Sequence, residues 1–161
     1  MERDVKEIKK DRLLYTQNKI SANLTYLGIV FGVFYFVSIY QSDVNNYYYT
    51  FTIGLSVIYN LMFLLIAFLS SEGLKNYKIS YAFMIIAVGI MQIVRIWGIP
   101  MDAHTTTTIV EGVETLVMDD SQFQYCCIAL IVSAACCILA GLIGIYKTVT
   151  LNNYKREKGL E

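Results

Sequence analysis

Four long apolar blocks constrain this chain more than any other feature of its sequence. Each block is 17 to 22 residues long, and none contains an aspartate or a glutamate. A helix rises 1.5 Å per residue, so about 20 apolar residues cross a hydrocarbon core of about 30 Å. The sequence therefore predicts four transmembrane helices, at residues 24–40, 52–69, 79–99 and 125–146.

The overall composition agrees with a membrane protein. Apolar residues make up 56% of the 161-residue chain and charged residues only 16%, whereas a soluble domain is nearer a quarter charged. The first block follows a charged segment and is not followed by a small-x-small cleavage site, so it does not have the pattern of a cleaved signal peptide. We expect a single all-α membrane domain, a four-transmembrane-helix bundle in a lipid bilayer.

The basic residues predict the orientation of the bundle. Twelve of the 13 lysines and arginines precede the first block, follow the fourth, or lie between the second and third. The other two connections contain none. Because basic loops remain in the cytoplasm, we expect both termini to be cytoplasmic, in the plasma membrane, and the connection between helices 3 and 4 to be extracytoplasmic.

The segments outside the blocks differ in character. Residues 1–23 are charged and have helical spacing, which predicts either a cytoplasmic extension of the first helix or a docking helix for a partner. Residues 147–161 are predicted to form a cytoplasmic tail. Residues 100–124 are acidic and should form a small cap over the outer ends of the helices. Pro100 directly follows the third block and is predicted to end its helix.

Two conformations fit residues 105–118 within this outer loop. Thr108 and Glu111 have the spacing of a capping box, which predicts a short interfacial helix. Alternatively, β-branched residues on both sides of Glu111 and Gly112 indicate a hairpin with a two-residue turn. A glycine interrupts a helix, so the pattern slightly favours the hairpin.

Small residues recur at helical spacing in the first and fourth blocks. In lipid, such residues let helices approach closely and compensate for the missing hydrophobic drive. They can serve contacts within one chain or between subunits. The residues predicted to pack helices are Gly28, Gly32, Ala129, Ser133, Cys137, Gly141 and Gly144.

The sequence gives no indication of catalysis or of a bound cofactor. The cysteines form two adjacent pairs within the fourth block, away from the outer loops, and are better interpreted as apolar packing residues than as a redox or zinc site. The only histidine lies in a loop. No membrane-embedded glutamate of the kind used by small multidrug transporters is present. We therefore expect no enzyme activity, cofactor, metal site or nucleic-acid partner.

Arg95 is the only basic residue outside the three cytoplasmic segments. It lies four residues before the end of the third block, about 6 Å below the surface by helical rise. Gln92 is one helical turn away, and Asn60 and Ser56 lie one turn apart in the second block. If these two helices pack as an antiparallel hairpin, the four residues form one polar seam or a ligand site.

Two interpretations of Arg95 remain open. In the structural one, which the sequence slightly favours, the guanidinium reaches outward to a carboxylate of the acidic cap, with Asp102, Glu111 and Glu114 as candidate partners. In the functional one, Arg95 binds an anion in an outward-facing pocket or pore.

The leading functional hypothesis from the sequence is a non-enzymatic membrane subunit that is a structural or accessory component of a larger assembly. It is based on the lack of catalytic groups, the small residues and the charged N-terminal segment. The alternative is a small oligomeric transporter or channel whose outward-facing polar site surrounds Arg95. A third hypothesis, a cation sensor, rests only on the carboxylates of the outer loop. Protein partners or a homo-oligomer are expected in either of the first two cases.

Overall fold

The structure is a computed structural model that describes residues 5–40, 47–110 and 113–160. In these residues the fold is almost entirely helical, with one small hairpin. Four of its helical segments are long and apolar enough to cross a membrane, as predicted. The elements in chain order are α1 (Val5–Tyr15), α2 (Lys19–Tyr40), α3 (Tyr47–Lys75), α4 (Ile79–Val94), a 3₁₀ helix (Arg95–Trp97), α5 (Ile99–Thr105), β1 (Thr107–Val110), β2 (Val113–Leu116) and α6 (Asp120–Lys158).

The four long helices pack in a ring, in the order α2, α3, α4 and α6. Buried residues form two clusters along the bundle. One includes Tyr35, Met118 and Leu130, and the other includes Phe63, Leu74 and Ile85. We call the end of the bundle that carries β1 and β2 the hairpin end. The opposite end, where α1 and the last turns of α6 lie, is the terminal end.

The small residues predicted to pack helices are used within this bundle. A Cβ on Gly28 of α2 would lie 2.8 Å from the sulfur of Cys137, and the Ser133 hydroxyl donates a 2.7 Å hydrogen bond to the Gly28 carbonyl. On the other side of α6, a Cβ on Gly141 would lie 2.8 Å from the carbonyl oxygen of Ala82 in α4. These small residues therefore hold α6 close to α2 and α4 of the same chain. All seven predicted packing residues, including Gly32, Ala129 and Gly144, are buried.

The third helix differs from the prediction around Pro100. The α-helix already ends at Val94, and a 3₁₀ helix carries the chain to Trp97. Pro100 then lies in the first turn of α5 instead of ending a helix. The first turn tolerates proline because the N–H that proline lacks has no intrahelical partner there.

The connection between α5 and α6 forms a hairpin, one of the two conformations that fit its sequence. β1 and β2 pair antiparallel, with Val110 opposite Val113, so that a two-residue connection joins them. Glu111 and Gly112 themselves lie outside the described residues. The exposed strands are held to the bundle at their bases, where the Met118 amide donates to the carbonyl oxygen of Ala103 at 3.2 Å.

Both polar ends of the chain form helices within the described residues. α6 continues past residue 146, the predicted end of the fourth span, to Lys158, where Gly159 in the left-handed region ends it. Its final turns bury Leu151 and Tyr154. The N-terminal segment is not a simple extension of the first helix, because the chain breaks between Tyr15 and Lys19 and α1 packs against α6.

The break before α2 is fixed by a buried asparagine. Asn18 is fully buried, and its side-chain oxygen accepts from the Ser21 amide at 3.5 Å, as an N-cap residue does. The same oxygen accepts from the Lys147 ammonium group at 2.9 Å. The backbone N–H of Asn18 donates to the backbone carbonyl of Lys75 at 3.2 Å. One residue therefore connects α2, α3 and α6 at the terminal end.

Candidate functional site

Arg95 lies at the hairpin end of the bundle and is the C-cap residue of α4. Its backbone is still helical (φ −61°, ψ −20°) and opens the 3₁₀ helix. The last carbonyls of a helix carry a partial negative charge, so this position favours a cation. The break in helical geometry therefore coincides with the charged residue that the sequence singled out.

The structure brings the four residues of the predicted seam together. One terminal nitrogen of Arg95, Nη1, donates to Asn60 Oδ1 and to Gln92 Oε1, each at 3.1 Å. The other, Nη2, donates to Ser56 Oγ, also at 3.1 Å. Asn60, Gln92 and Ser56 are all buried. The guanidinium thus bridges α3 and α4 through neutral acceptors.

The acceptors are themselves held in place by neighbouring groups. The Asn60 amide nitrogen donates to the Ser56 carbonyl at 2.8 Å, which turns the amide oxygen towards Arg95. The Gln92 amide nitrogen lies 3.5 Å from Ser133 Oγ on α6. Ser133 in turn donates to Gly28 on α2. A continuous set of polar contacts therefore runs from Arg95 across all four helices of the bundle.

Two tyrosines enclose the guanidinium. The Arg95 Cζ lies 4.4 Å from the centroid of the Tyr35 ring and 4.3 Å from that of the Tyr59 ring. Both distances are well within the range of a cation–π contact. Tyr35 was not among the residues that the sequence predicted for the seam. Its spacing from Gly28 and Gly32 on α2, which places all three on one helical face, could have indicated it.

Two of the predicted carboxylate partners, Asp102 and Glu114, make no ion pair with Arg95. None of the ion pairs among the described residues involves this arginine. Asp102 is exposed, and Glu114 is exposed on β2. Glu111 lies outside the described residues. In the part of the chain that the structure describes, the charge of Arg95 is accommodated by hydroxyl, amide and aromatic groups.

A cavity of about 450 Å³ opens beside the guanidinium. Its polar lining consists of Arg95, Ser56, the two tyrosines and Asp102, while Leu55, Trp97 and Ile99 contribute apolar surface. The Trp97 side chain is 67% exposed. A cavity of this size with a few convergent polar groups has the properties of a small-molecule site.

The hydrogen-bonding capacity of Arg95 is not exhausted by its neighbours. A guanidinium has five N–H donors, and the bonds to Asn60, Gln92 and Ser56 use three of them. Two donors therefore remain beyond these three bonds, along with the positive charge.

The acidic residues of the outer connection do not come together as a metal site within the described residues. Asp119 instead caps α6, where its carboxylate accepts from the backbone N–H of Gln122 at 2.8 Å. Asp120 lies 3.7 Å from His104 Nε2, and the His104 ring stacks on Phe123 with centroids 4.3 Å apart. These contacts give the two aspartates structural roles at the start of α6.

The four cysteines are free thiols. Cys126, Cys136 and Cys137 are buried in the helix interfaces, and Cys127 is half-buried. Their packing fits the interpretation that they are small apolar residues.

Comparison of the chain with protein-family models, with curated proteins and with solved structures gives no match. The function is therefore inferred from the chemistry of the residues themselves.

Proposed function

We propose that this protein is a non-enzymatic integral membrane protein that binds a small organic anion in the cavity around Arg95, as a transporter, channel or binding subunit. The observation that carries the proposal is an arginine that lines an open cavity without a carboxylate partner among the described residues. An ionised group within a membrane is costly and usually has a functional role.

The lining indicates the class of ligand. An arginine binds carboxylate or phosphate oxygens through charge-assisted hydrogen bonds. Trp97 and Leu55 provide apolar surface for a short hydrocarbon part. Asp102 at the same cavity favours a ligand that also carries a positive or hydrogen-bond-donating group, such as an amino acid. Arg95 would hold the anionic group, and Ser56 and Tyr59 would orient it.

The orientation of the protein belongs to the same proposal. The distribution of basic residues supports cytoplasmic termini in a plasma membrane, an orientation in which the cavity would open to the outside. A ligand would then enter from the extracytoplasmic side. Cysteine-accessibility labelling of an introduced Glu114→Cys, with a membrane-impermeant reagent on intact cells, tests this orientation. Labelling only after the cells are broken would contradict it.

Trp97 allows a direct binding test because it is the only tryptophan and it lines the cavity. The purified full chain in a neutral detergent is titrated with acetate, butyrate, glycine and inorganic phosphate while tryptophan fluorescence is recorded. We expect a saturable change with at least one organic anion, and its loss in Arg95→Gln. Arg95→Lys should bind more weakly than the wild type, because an ammonium group lacks the planar fork of donors.

A matched control removes a positive charge far from the cavity. Lys78 is exposed at the terminal end, and Lys78→Gln should leave the fluorescence titration unchanged. If no probe gives a saturable change in the wild type, or if Arg95→Gln titrates like the wild type, Arg95 is not the ligand-binding group and the proposal fails.

The accessory-subunit hypothesis remains the alternative. Two of its motivations have an explanation within one chain, because the small residues pack α6 against α2 and α4, and the N-terminal segment packs on α6. Blue-native electrophoresis after mild extraction tests it. A lone monomer without a co-purifying partner would contradict assembly and leave the binding proposal intact.

A further inference from the structure

A second cavity, of about 800 Å³, lies at the terminal end of the bundle. It is bounded by the last turn of α1, the break before α2 and the side of α6. Among the described residues, three cationic side chains line it, Arg12, Lys19 and Lys147, and no carboxylate does. It is at the opposite end of the bundle from Arg95 and does not depend on the function proposed for that residue.

The three cations differ from other basic residues nearby. Lys10 pairs with Glu157 at 3.5 Å and Lys158 pairs with Glu7 at 3.7 Å. By contrast, none of the ion pairs in the described part of the chain includes a cation that lines this cavity. Within the part of the chain that the structure describes, their positive charge is therefore not neutralised by a neighbouring carboxylate.

Lys147 is the best positioned of the three. Its ammonium group donates to the side-chain oxygen of Asn18 at 2.9 Å, and Asn18 is fully buried. This contact fixes the lysine at the wall of the cavity. An ammonium group has three N–H donors, so two remain beyond this bond for a ligand.

The position of the cavity along the bundle indicates the kind of ligand. Lys19 is the first residue of α2, the first membrane-spanning helix. Two neighbouring apolar side chains at this boundary are exposed, Ile20 at 56% and Tyr15 at 88%. A ligand that is anionic at one end and apolar at the other would meet both kinds of surface.

We propose that this cavity binds the phosphate group of an anionic phospholipid headgroup. The phosphate oxygens would accept from Lys147, Arg12 and Lys19, and an acyl chain would lie along Ile20. Basic pockets at the ends of membrane helices bind such headgroups because each lysine or arginine adds electrostatic attraction to the phosphate. The ligand would come from the bilayer. A free phosphate ion has no apolar part that could contact the apolar surface beside the cations.

The test uses the full chain in a neutral detergent and native mass spectrometry. Dioctanoyl phosphatidylglycerol is the anionic probe, and dioctanoyl phosphatidylcholine is the zwitterionic comparison with the same chains. We expect phosphatidylglycerol to bind more tightly. In the double variant Arg12→Gln with Lys19→Gln, this affinity should fall by on the order of 30-fold, about fivefold for each charge.

A matched variant removes the same number of charges at the same end. Lys9→Gln with Lys78→Gln changes two exposed residues that do not line the cavity, and its affinity should change less than threefold. Both double variants should keep the far-UV circular dichroism spectrum and the thermal unfolding midpoint of the wild type, which shows that the bundle is intact.

Three results would overturn the proposal. Equal affinity for the two lipids would exclude recognition of the headgroup charge. An equal loss in the two double variants would indicate general electrostatic attraction without a site. Displacement of phosphatidylglycerol by inorganic phosphate at equal concentration would assign the cavity to a free phosphate ion.

Discussion

The two ends of the bundle accommodate positive charge in different ways. At the hairpin end, Arg95 is surrounded by neutral acceptors and two tyrosine rings. At the terminal end, lysines and glutamates pair between α1 and α6, as Lys10 does with Glu157. The exposed Lys10 is neutralised by a carboxylate, whereas Arg95 within the bundle is held by hydrogen bonds that leave its charge unneutralised.

The two kinds of contact also differ in how much they contribute to stability. Exposed ion pairs contribute little to stability because water screens them and two long side chains lose conformational freedom. A buried network costs more to disrupt, because a partner left without its hydrogen bond has lost its water as well. Changes to the Arg95 network should therefore have large effects, and changes to the paired surface should have small ones.

The largest effect is expected for Arg95→Leu. The substitution removes three hydrogen bonds and two aromatic contacts and leaves Asn60 and Gln92 buried without their partner. We expect the free energy of unfolding to fall by about 3 kcal/mol or more. Unfolding in mixed micelles, followed by circular dichroism, measures it. Arg95→Lys should lose less because it retains the charge. A variant Arg95→Leu as stable as the wild type would show that the polar network does not need its cation.

Asn18→Ala should have the next largest effect and tests the terminal end. It removes the N-cap of α2 and the acceptor of Lys147. The expected loss in unfolding free energy is about 2 kcal/mol. The matched control is Gln17→Ala, since this neighbour is exposed. A similar loss in both variants, measured by the same unfolding experiment, would mean that Asn18 is no more important than its surroundings.

Tyr154→Phe should be milder. The Tyr154 hydroxyl donates to the Asp11 carboxylate and so connects α6 to α1, while the buried ring stays in place. The expected loss is about 1 kcal/mol, with α1 becoming more accessible. Hydrogen exchange over residues 5–15 is the readout. Tyr146→Phe, on an exposed residue of the same helix, should leave that exchange unchanged. Unaltered exchange in Tyr154→Phe would show that α1 docks without this bond.

The smallest effect is expected for the pair of Lys10 and Glu157. Their side chains are 38% and 61% exposed. A double-mutant cycle with Lys10→Gln and Glu157→Gln should give a coupling of about 0.5 kcal/mol or less, and it should fall further at high salt. A coupling as large as the effect of Asn18→Ala would remove the distinction drawn between the two ends.

The candidate site was partly predictable because its signals are local. A single arginine stands out in an apolar block, and helical spacing predicts that Gln92 and Ser56–Asn60 can face it. Its surroundings were not predictable, because they depend on which faces of separate helices meet. Tyr35 is distant in sequence from Arg95, and only the packing of α2 between α3 and α6 brings its ring to the guanidinium.

The sequence also could not predict that, among the described residues, no carboxylate pairs with Arg95. Asp102 lies close in sequence and has the right charge, but the 3₁₀ helix and α5 place it elsewhere on the cavity wall without an ion pair. Charge complementarity in a sequence shows which pairs are chemically suitable. The backbone path decides which of them come within reach.

The sequence by itself determined four helices that are long and apolar enough to cross a membrane, since a long run of apolar residues has few other stable arrangements and helical hydrogen bonds are local. It also indicated the hairpin, through β-branched residues around a two-residue connection. Only the tertiary structure decided that the stripe of small residues packs within one chain, that α6 continues to Lys158 as the support for α1, and that Arg95 lies between two tyrosines beside an open cavity. These features depend on contacts between residues far apart in the chain, which local patterns do not encode.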